Sequence, residues 1–292
     1  MKILLLGNTG QLGWELNRTL LNLGDLTAVD YPHINMADPD NICSVIREHQ
    51  PDLIINATAY TDVNQAETDP DLAMAINGTG PGIIAEEARK GKCAMIHYST
   101  DYVFDGTLGR PYIEEDLPNP LSVYGETKLA GEKSVSDVGG AYIIFRTSWV
   151  YSLRRPSFVI KVFQWSREHE TLYIVDDQIS NPTWARSLAE STGFVIALTK
   201  DGLIEHFTEK SGLYHLAGGG SCSRFEWAKE ILSLDPNPEE QLAKQVLPAK
   251  STDFNSPAMR PLKSHLNCLK FESTFNLKLA HWKVDLMLSM AD

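Results

Sequence analysis

The sequence predicts an α/β chain built on a doubly wound parallel sheet, and two observations carry that expectation. Short apolar runs at residues 3–6, 53–55 and 94–96 lack polar alternation, as strands buried on both faces do, and longer amphipathic stretches separate them. The first run leads into a turn with three glycines and then a helical pattern, the order in which such sheets bind nucleotides. Residues 26–29 read as a second strand. Residues 41–49 and 71–90 read as crossover helices, the latter with Ala73, Ile76, Ile83 and Ile84 for burial. Residues 141–145 read as a further strand. Beyond about Ser148 the pattern loosens, and Arg154-Arg155-Pro156, Asn181-Pro182 and Gly218-Gly219-Gly220 mark loops. The expectation is a Rossmann-like dinucleotide-binding domain over 1–148. A smaller, mainly substrate-binding C-terminal region follows over 149–292, with some segments returning to the first domain.

A chain of 292 residues with 43% hydrophobic content has enough core for an enclosed site. Its net charge of −12 and pI near 5.1 argue against an extended nucleic-acid footprint or an anionic membrane surface, since both need clustered Lys and Arg. Cys43, Cys93, Cys222 and Cys268 are far apart and form no Cys-x-x-Cys pair, so they read as reduced thiols of a cytosolic protein. The opening apolar run stops at Gly7, too short for a signal segment, and no apolar run approaches membrane-spanning length. A soluble, cytoplasmic protein is expected.

The turn is Gly7-Asn8-Thr9-Gly10-Gln11-Leu12-Gly13, spaced Gly-x-x-Gly-x-x-Gly. This is one residue longer than the Gly-x-Gly-x-x-Gly fingerprint, yet the physics is shared. Glycines allow close backbone approach, and the following helix offers free N–H groups and a positive dipole to a pyrophosphate. An ordinary tight turn is the competing reading, and the strand-turn-helix context disfavours it. Asp30 follows the second strand, where a carboxylate accepts hydrogen bonds from an adenosine ribose and by itself favours NAD over NADP. A solvated loop aspartate is the alternative. Asn56-Ala57-Thr58-Ala59-Tyr60-Thr61 ends what reads as the fourth strand, with small residues that leave room for a ligand.

Tyr124 and Lys128 stand four residues apart, so a helix sets phenol and ammonium on one face. A nearby cation favours the phenolate and lowers the tyrosine pKa, making a better proton donor for a carbonyl. Such pairs also occur by chance on solvated helices. Here the glycine turn and Ser99-Thr100-Asp101 upstream favour the chemical reading.

Taken in order, the glycine turn, residues 56–61, Ser99-Thr100-Asp101-Tyr102-Val103-Phe104-Asp105-Gly106 and Tyr124-Gly-Glu-Thr-Lys128 resemble the extended short-chain dehydrogenase/reductases. The resemblance is stronger to the dTDP-4-dehydrorhamnose reductase family. It extends through Arg146-Thr147-Ser148-Trp149-Val150-Tyr151, Asp177-Gln178-Ile179, Gly212-Leu213-Tyr214-His215-Leu216 and Arg260-Pro261-Leu262-Lys263-Ser264, nearly the whole chain. It implies an oxidoreductase that uses NADPH or NADH to reduce the C4 ketone of dTDP-4-dehydro-L-rhamnose. Tyr124 would protonate the alkoxide, Lys128 would hold the nicotinamide ribose and lower the Tyr124 pKa, and Thr100 would hydrogen-bond the ketone oxygen. By position, Gly10, Gln11, Leu12, Asp30, Asn35, Met36, Ala59, Tyr60, Thr61 and Tyr98 would line the cofactor alongside Gly7 and Gly13. Thr100, Asp101 and Trp149 would face the substrate.

Two departures stand out. Asn35-Met36 replaces an acidic and aromatic pair of some members, and Arg224 stands where the family often has tryptophan. Some members dimerise through Mg²⁺, and Glu15 is a candidate ligand. An acid in a first helical turn is more often dipole-favoured, so no metal site is expected, and a homodimer is left open. Arg260 and Lys263 read equally as diphosphate ligands or as surface ion pairs. Arg167-Glu168-His169-Glu170 lacks metalloprotease spacing and reads as a solvated helix end, and His97 reads as structural. The competing functions are a non-catalytic subunit like the beta subunit of methionine adenosyltransferase, which shares this fold, and a nucleotide-sugar epimerase.

Overall fold

Strand β1 (Lys2–Leu6) shows how the apolar runs build the molecule: Ile3 and Leu5 point into one core layer and Leu4 and Leu6 into the other, the period of two that a sheet covered on both faces requires. A computed structural model describes residues 1–199 and 202–291. Around β1 it assembles β2 (Asp25–Val29), β3 (Leu53–Asn56), β4 (Ala94–Thr100), β5 (Tyr142–Thr147) and, after four strands that pair elsewhere, β10 (Gly212–His215). They form one parallel sheet of order β10-β5-β4-β3-β1-β2. The chain reverses direction across the sheet between β1 and β3, which opens a crevice at their carboxyl ends.

Helices α1 (Gln11–Thr19), α8 (Ala185–Ala197), α9 (Leu203–Glu209) and α11 (Leu269–Phe275) cover one face through Leu16, Leu188, Phe207 and Phe271. On the other face, α2 (Pro39–His49), α5 (Gly80–Gly91) and α6 (Val123–Val138) pack Ile42, Ile84 and Val135. A separate apolar cluster joins β6 (Val150–Tyr151), β7 (Thr171–Val175), β9 (Thr183–Trp184) and the helices α7 (Phe158–Glu168), α10 (Arg224–Ser233) and α12 (Trp282–Met290). There β7 pairs with β12 (Gln245–Ala249), and β8 (Ile179–Ser180) pairs with β11 (Cys222–Ser223). Strand β10 and helices α8, α9 and α11 lie beyond residue 148 in sequence yet pack on the main sheet.

Two sequence expectations change. The run at 53–56 is the third strand, because only α2 separates it from β2. The helix expected over 71–90 is interrupted: α3 (Val63–Ala66) and α4 (Pro70–Met74) precede a π-turn at Ala75–Thr79, and only then does α5 begin. The π-turn carries Asn77, whose buried amide donates to the Tyr60 carbonyl at 3.1 Å and to Thr127 Oγ1 at 3.2 Å. Widening the helix there turns a side chain toward the ends of β3 and α6, a usual use of a π-bulge.

Helix α6 is fixed to the sheet by charge. Glu132, 4% exposed, accepts from Arg146 Nε at 2.8 Å and from Arg146 Nη2 at 2.6 Å, and Arg146 on β5 is itself 2% exposed. Ser99 on β4 donates to the same carboxylate, and the guanidinium lies 4.9 Å over the Phe104 ring. Removing one partner of such a pair strands the other charge in the interior. Glu132→Ala is expected to lower unfolding free energy in urea titrations by about 3–5 kcal/mol. A loss below about 1 kcal/mol would show the pair to be dispensable.

Candidate active site

Glycine is demanded at two of the three turn positions by the protein itself. Gly7 has φ +88°, and a Cβ there would stand 2.9 Å from the Thr58 nitrogen; a Cβ on Gly13 would stand 1.9 Å from the Gly7 carbonyl oxygen. Gly10 is different. Its φ of −69° is ordinary and the nearest atom to an added Cβ is 3.6 Å away, so what a side chain there would fill is the cleft. No side chain caps α1, which leaves first-turn N–H groups free for an anion. Gln11 Oε1 accepts from the Ser152 nitrogen at 2.8 Å and ties this helix end to the chain after β6.

The cleft beside this turn has a volume of about 780 Å³ and runs along the carboxyl ends of β1 to β5. Gly7, Gly10, Gln11, Leu12, Asp30, Asn35, Met36, Ala59, Thr61, Tyr98, Thr100, Tyr124, Lys128 and Trp149 all line it. Three of the residues singled out from sequence do not. Gly13 is spent on the close contact with Gly7. Tyr60 pairs its backbone with Asn77, and its phenol feels the Asp69 carboxylate. Asp101 is 1% exposed beneath the cleft, where its Oδ2 accepts from Ser180 at 2.9 Å and from Ser264. Burial pushes the Asp101 carboxyl up to about 6, partly offset by those hydroxyls.

At the far end Asp30 braces the turn. Its Oδ2 accepts from the Thr9 nitrogen at 2.9 Å and from Thr9 Oγ1 at 2.7 Å, and Oδ1 accepts from the Tyr31 nitrogen at 2.8 Å. A carboxylate has about four acceptor sites, so roughly one remains for a ligand.

The near end holds the reactive groups. Ser122 caps α6 by accepting from the Gly125 nitrogen, so Tyr124 sits in the first turn and Lys128 in the second. Gly125 lets this helix touch the turn after β4: a Cβ there would lie 2.3 Å from the Tyr102 carbonyl oxygen. The approach brings the Tyr124 phenol beside Thr100, which ends β4, donates to Asp101 Oδ1 at 3.3 Å and accepts from the Tyr102 nitrogen at 3.2 Å. Lys128, 2% exposed, donates to the Tyr98 carbonyl at 2.6 Å and keeps its other N–H donors.

Electrostatics here differ from the sequence expectation. Burial raises the Tyr124 pKa above the ordinary phenol value, with Thr100 partly offsetting it, and Lys128 is not among its causes. Lys128 itself is pushed by burial from 10.5 down to about 8, and the Glu132 carboxylate partly offsets the shift. The phenol is therefore held neutral and the ammonium is close to titration.

Sequence reasoning missed several groups. Arg155 lines the cleft and also a recess shared with Thr9 and Gly10, the place of a phosphate counter-charge. Asn77 positions the loop after β3. Trp149 adopts φ +41°, unusual for a bulky residue, and its ring stacks on Trp227 with centroids 5.6 Å apart. Beyond it opens a second cleft of about 740 Å³ that includes Phe158, Trp165, Tyr173, Arg224 and Arg260. Lys263 does not line it. Among the described residues no three His, Cys, Asp or Glu side chains are grouped to hold a metal, and buried Glu15 faces Arg154 at 3.8 Å and Arg186 at 4.0 Å. His97 is fully buried against Asn56 at 3.2 Å. No helix among the described residues is long and apolar enough to cross a membrane.

Known proteins share this architecture along the whole chain. The dTDP-4-dehydrorhamnose reductase of Escherichia coli K12 is 40% identical over 291 residues, covering 97% of this chain and 95% of that enzyme. A crystal structure of a dTDP-4-dehydrorhamnose reductase from Clostridium acetobutylicum superposes with TM-score 0.90 at 32% identity, over 100% of this chain and 99% of that one. The Bacillus anthracis dTDP-4-dehydrorhamnose reductase in complex with NADP superposes with TM-score 0.89 at 31% identity, over 99% and 98% of the two chains. The family described as the RmlD substrate binding domain matches residues 1–292. The chain belongs to that family.

Proposed function

We propose that the chain reduces the C4 ketone of dTDP-4-dehydro-L-rhamnose to the alcohol of dTDP-L-rhamnose with NADPH or NADH. The observation that carries this reading is the meeting of Thr100, Tyr124 and Lys128 at one end of a dinucleotide-sized cleft whose other end is a glycine turn on a free helix N-terminus. Full-length likeness to dTDP-4-dehydrorhamnose reductases gives the substrate. The acidic chain with no membrane-spanning helix among its described residues suits a cytoplasmic biosynthetic enzyme.

The cleft suits the cofactor in shape and charge. First-turn N–H groups of α1 and the Arg155 guanidinium would hold the pyrophosphate, Asp30 the adenosine ribose, and the spare Lys128 donors the nicotinamide ribose. When bound, the dihydronicotinamide supplies the hydride. The rest falls to the chain. Thr100 donates a hydrogen bond to the ketone oxygen and stabilises the charge that develops there. Tyr124 gives its phenolic proton to the new alkoxide. An alkoxide is far more basic than a phenolate, so a raised phenol pKa still leaves the transfer downhill while keeping the donor protonated beforehand. The Lys128 ammonium stabilises the tyrosinate left behind until it is reprotonated.

Tyr124→Phe removes the proton but little volume. Turnover, followed as loss of reduced-nicotinamide absorbance, should fall about 10²- to 10⁴-fold with NADPH affinity unchanged, and a fully active variant would remove Tyr124 from the chemistry. Gly10→Ala should leave the melting temperature unchanged while weakening NADPH binding, because the added methyl meets ligand and not protein; tight binding by the variant contradicts this use of the turn. The Lys128 ammonium titrates lower in the folded chain than in the unfolded one. Below pH 8 both carry the charge and the folded state bears its desolvation; between about 8 and 10.5 the unfolded chain binds the extra proton, so this penalty fades as pH rises. Lys128→Met should therefore stabilise the cofactor-free protein at pH 7, by on the order of 3 kcal/mol, with the gain vanishing above pH 10 and activity lost. A destabilised Met variant at pH 7 would contradict the buried charge.

A further inference from the structure

Arg224 is a half-buried cation that makes no ion pair among the described residues. It opens α10 directly after the Ser223 cap, whose side chain and the Glu226 carboxylate form a capping box, so the backbone that carries the guanidinium is held firmly. The guanidinium lies 3.6 Å from the Trp149 ring centroid, 4.7 Å from that of Phe158 and 5.6 Å from that of Trp227. Among the described residues no carboxylate pairs with it; the Tyr102 phenol and, farther off, Asp101 are the groups that favour its charge. Aromatic faces attract a cation but neutralise none of its charge. Drawing an arginine partly out of water against rings carries a cost that an anion beside it offsets.

The surroundings say where that anion belongs. The second cleft carries Lys161, Arg224 and Arg260 and has no carboxylate in its wall, although the chain as a whole bears a net charge of −12. Arg224 and Arg260 repel one another across it, and Arg260 is steadied by Asn64 Oδ1 at 2.9 Å and the Ala258 carbonyl at 3.2 Å. Two arginines facing one space with no acid between them make a site for an anion with several oxygens. Trp149, beneath the Arg224 guanidinium, lines the first cleft, and Pro156 lines both, so Arg224 stands where the two clefts meet.

We infer that Arg224, with Arg260, binds the diphosphate of the nucleotide sugar and so fixes the sugar ring against Trp149, facing Thr100 and Tyr124. The inference rests on the reductase reading for the identity of the sugar nucleotide. A diphosphate seated on both arginines places the base toward Trp165, Tyr173 and Phe254 in the outer cleft and the sugar toward the inner one. Arg224 thereby makes recognition depend on the diphosphate and not on the base alone.

The test is calorimetric titration of dTDP and of uncharged thymidine into the full chain saturated with NADPH, with Arg224→Gln and Arg224→Lys beside the wild type. Arg224→Gln should weaken dTDP about 10- to 100-fold and leave thymidine and NADPH affinity unchanged. Arg224→Lys, which keeps the charge, should recover part of the loss. In turnover, KM for the sugar nucleotide should rise by a similar factor, with a smaller change in kcat. Unchanged dTDP affinity in Arg224→Gln overturns the inference. Equal weakening of dTDP, thymidine and NADPH also overturns it, since that places Arg224 in the fold. Arg224-dependent dTDP binding without ketone reduction by the wild type would keep the inference and defeat the reductase reading.

Discussion

The buried pair between Glu132 and Arg146 is the constraint on which the site depends. Tyr124, Lys128 and Glu132 recur every four residues along α6 and so share one face. Glu132 anchors that face to β5 through Arg146 and to β4 through Ser99, and β4 ends one residue later at Thr100. The ion pair therefore sets the distance between the strand that presents Thr100 and the helix that presents Tyr124. Gly125 completes the fit at the other end of the helix, where a methyl group would collide with the Tyr102 carbonyl. Such a pair is weak as a source of net stability but strong as a specifier of register, because no slipped packing satisfies both charges.

The same low-polarity interior sets the electrostatics. Lys128 is carried into it with one carbonyl partner, and Arg224 is drawn half out of water against three rings, in a chain whose overall charge is strongly negative. The two cations lie at the inner and outer clefts, and both cost folding energy in the absence of ligand. Sites that bind anionic substrates commonly carry such a burden, and stability then rises with occupancy.

Much of this was legible in the sequence because its signals are local. The buried strands announced themselves as unbroken apolar runs, and the glycine turn and the Tyr124-Lys128 spacing are backbone periodicities that need no tertiary knowledge. What escaped depends on contacts distant along the chain. The π-turn at Ala75–Thr79 exists to aim Asn77 at Tyr60 and Thr127, and a helical pattern hides it. Strand β10 is four residues long and finds its place beside β5 only through long-range pairing. Asp101 follows Thr100 in sequence, but the turn there directs it beneath the cleft toward Ser180 and Ser264. The lowering of the Tyr124 pKa expected from Lys128 does not appear because pairwise charge logic omits burial, which dominates both groups.

The proposed chemistry is hydride delivery to a ketone held between Thr100 and Tyr124. The most direct measurement uses NADPH deuterated at the transferable C4 position together with dTDP-4-dehydro-L-rhamnose, and locates the label in the product by NMR. One deuterium at sugar C4 for each NADPH consumed is the predicted result. Product without label, or cofactor returned unoxidised, would contradict it.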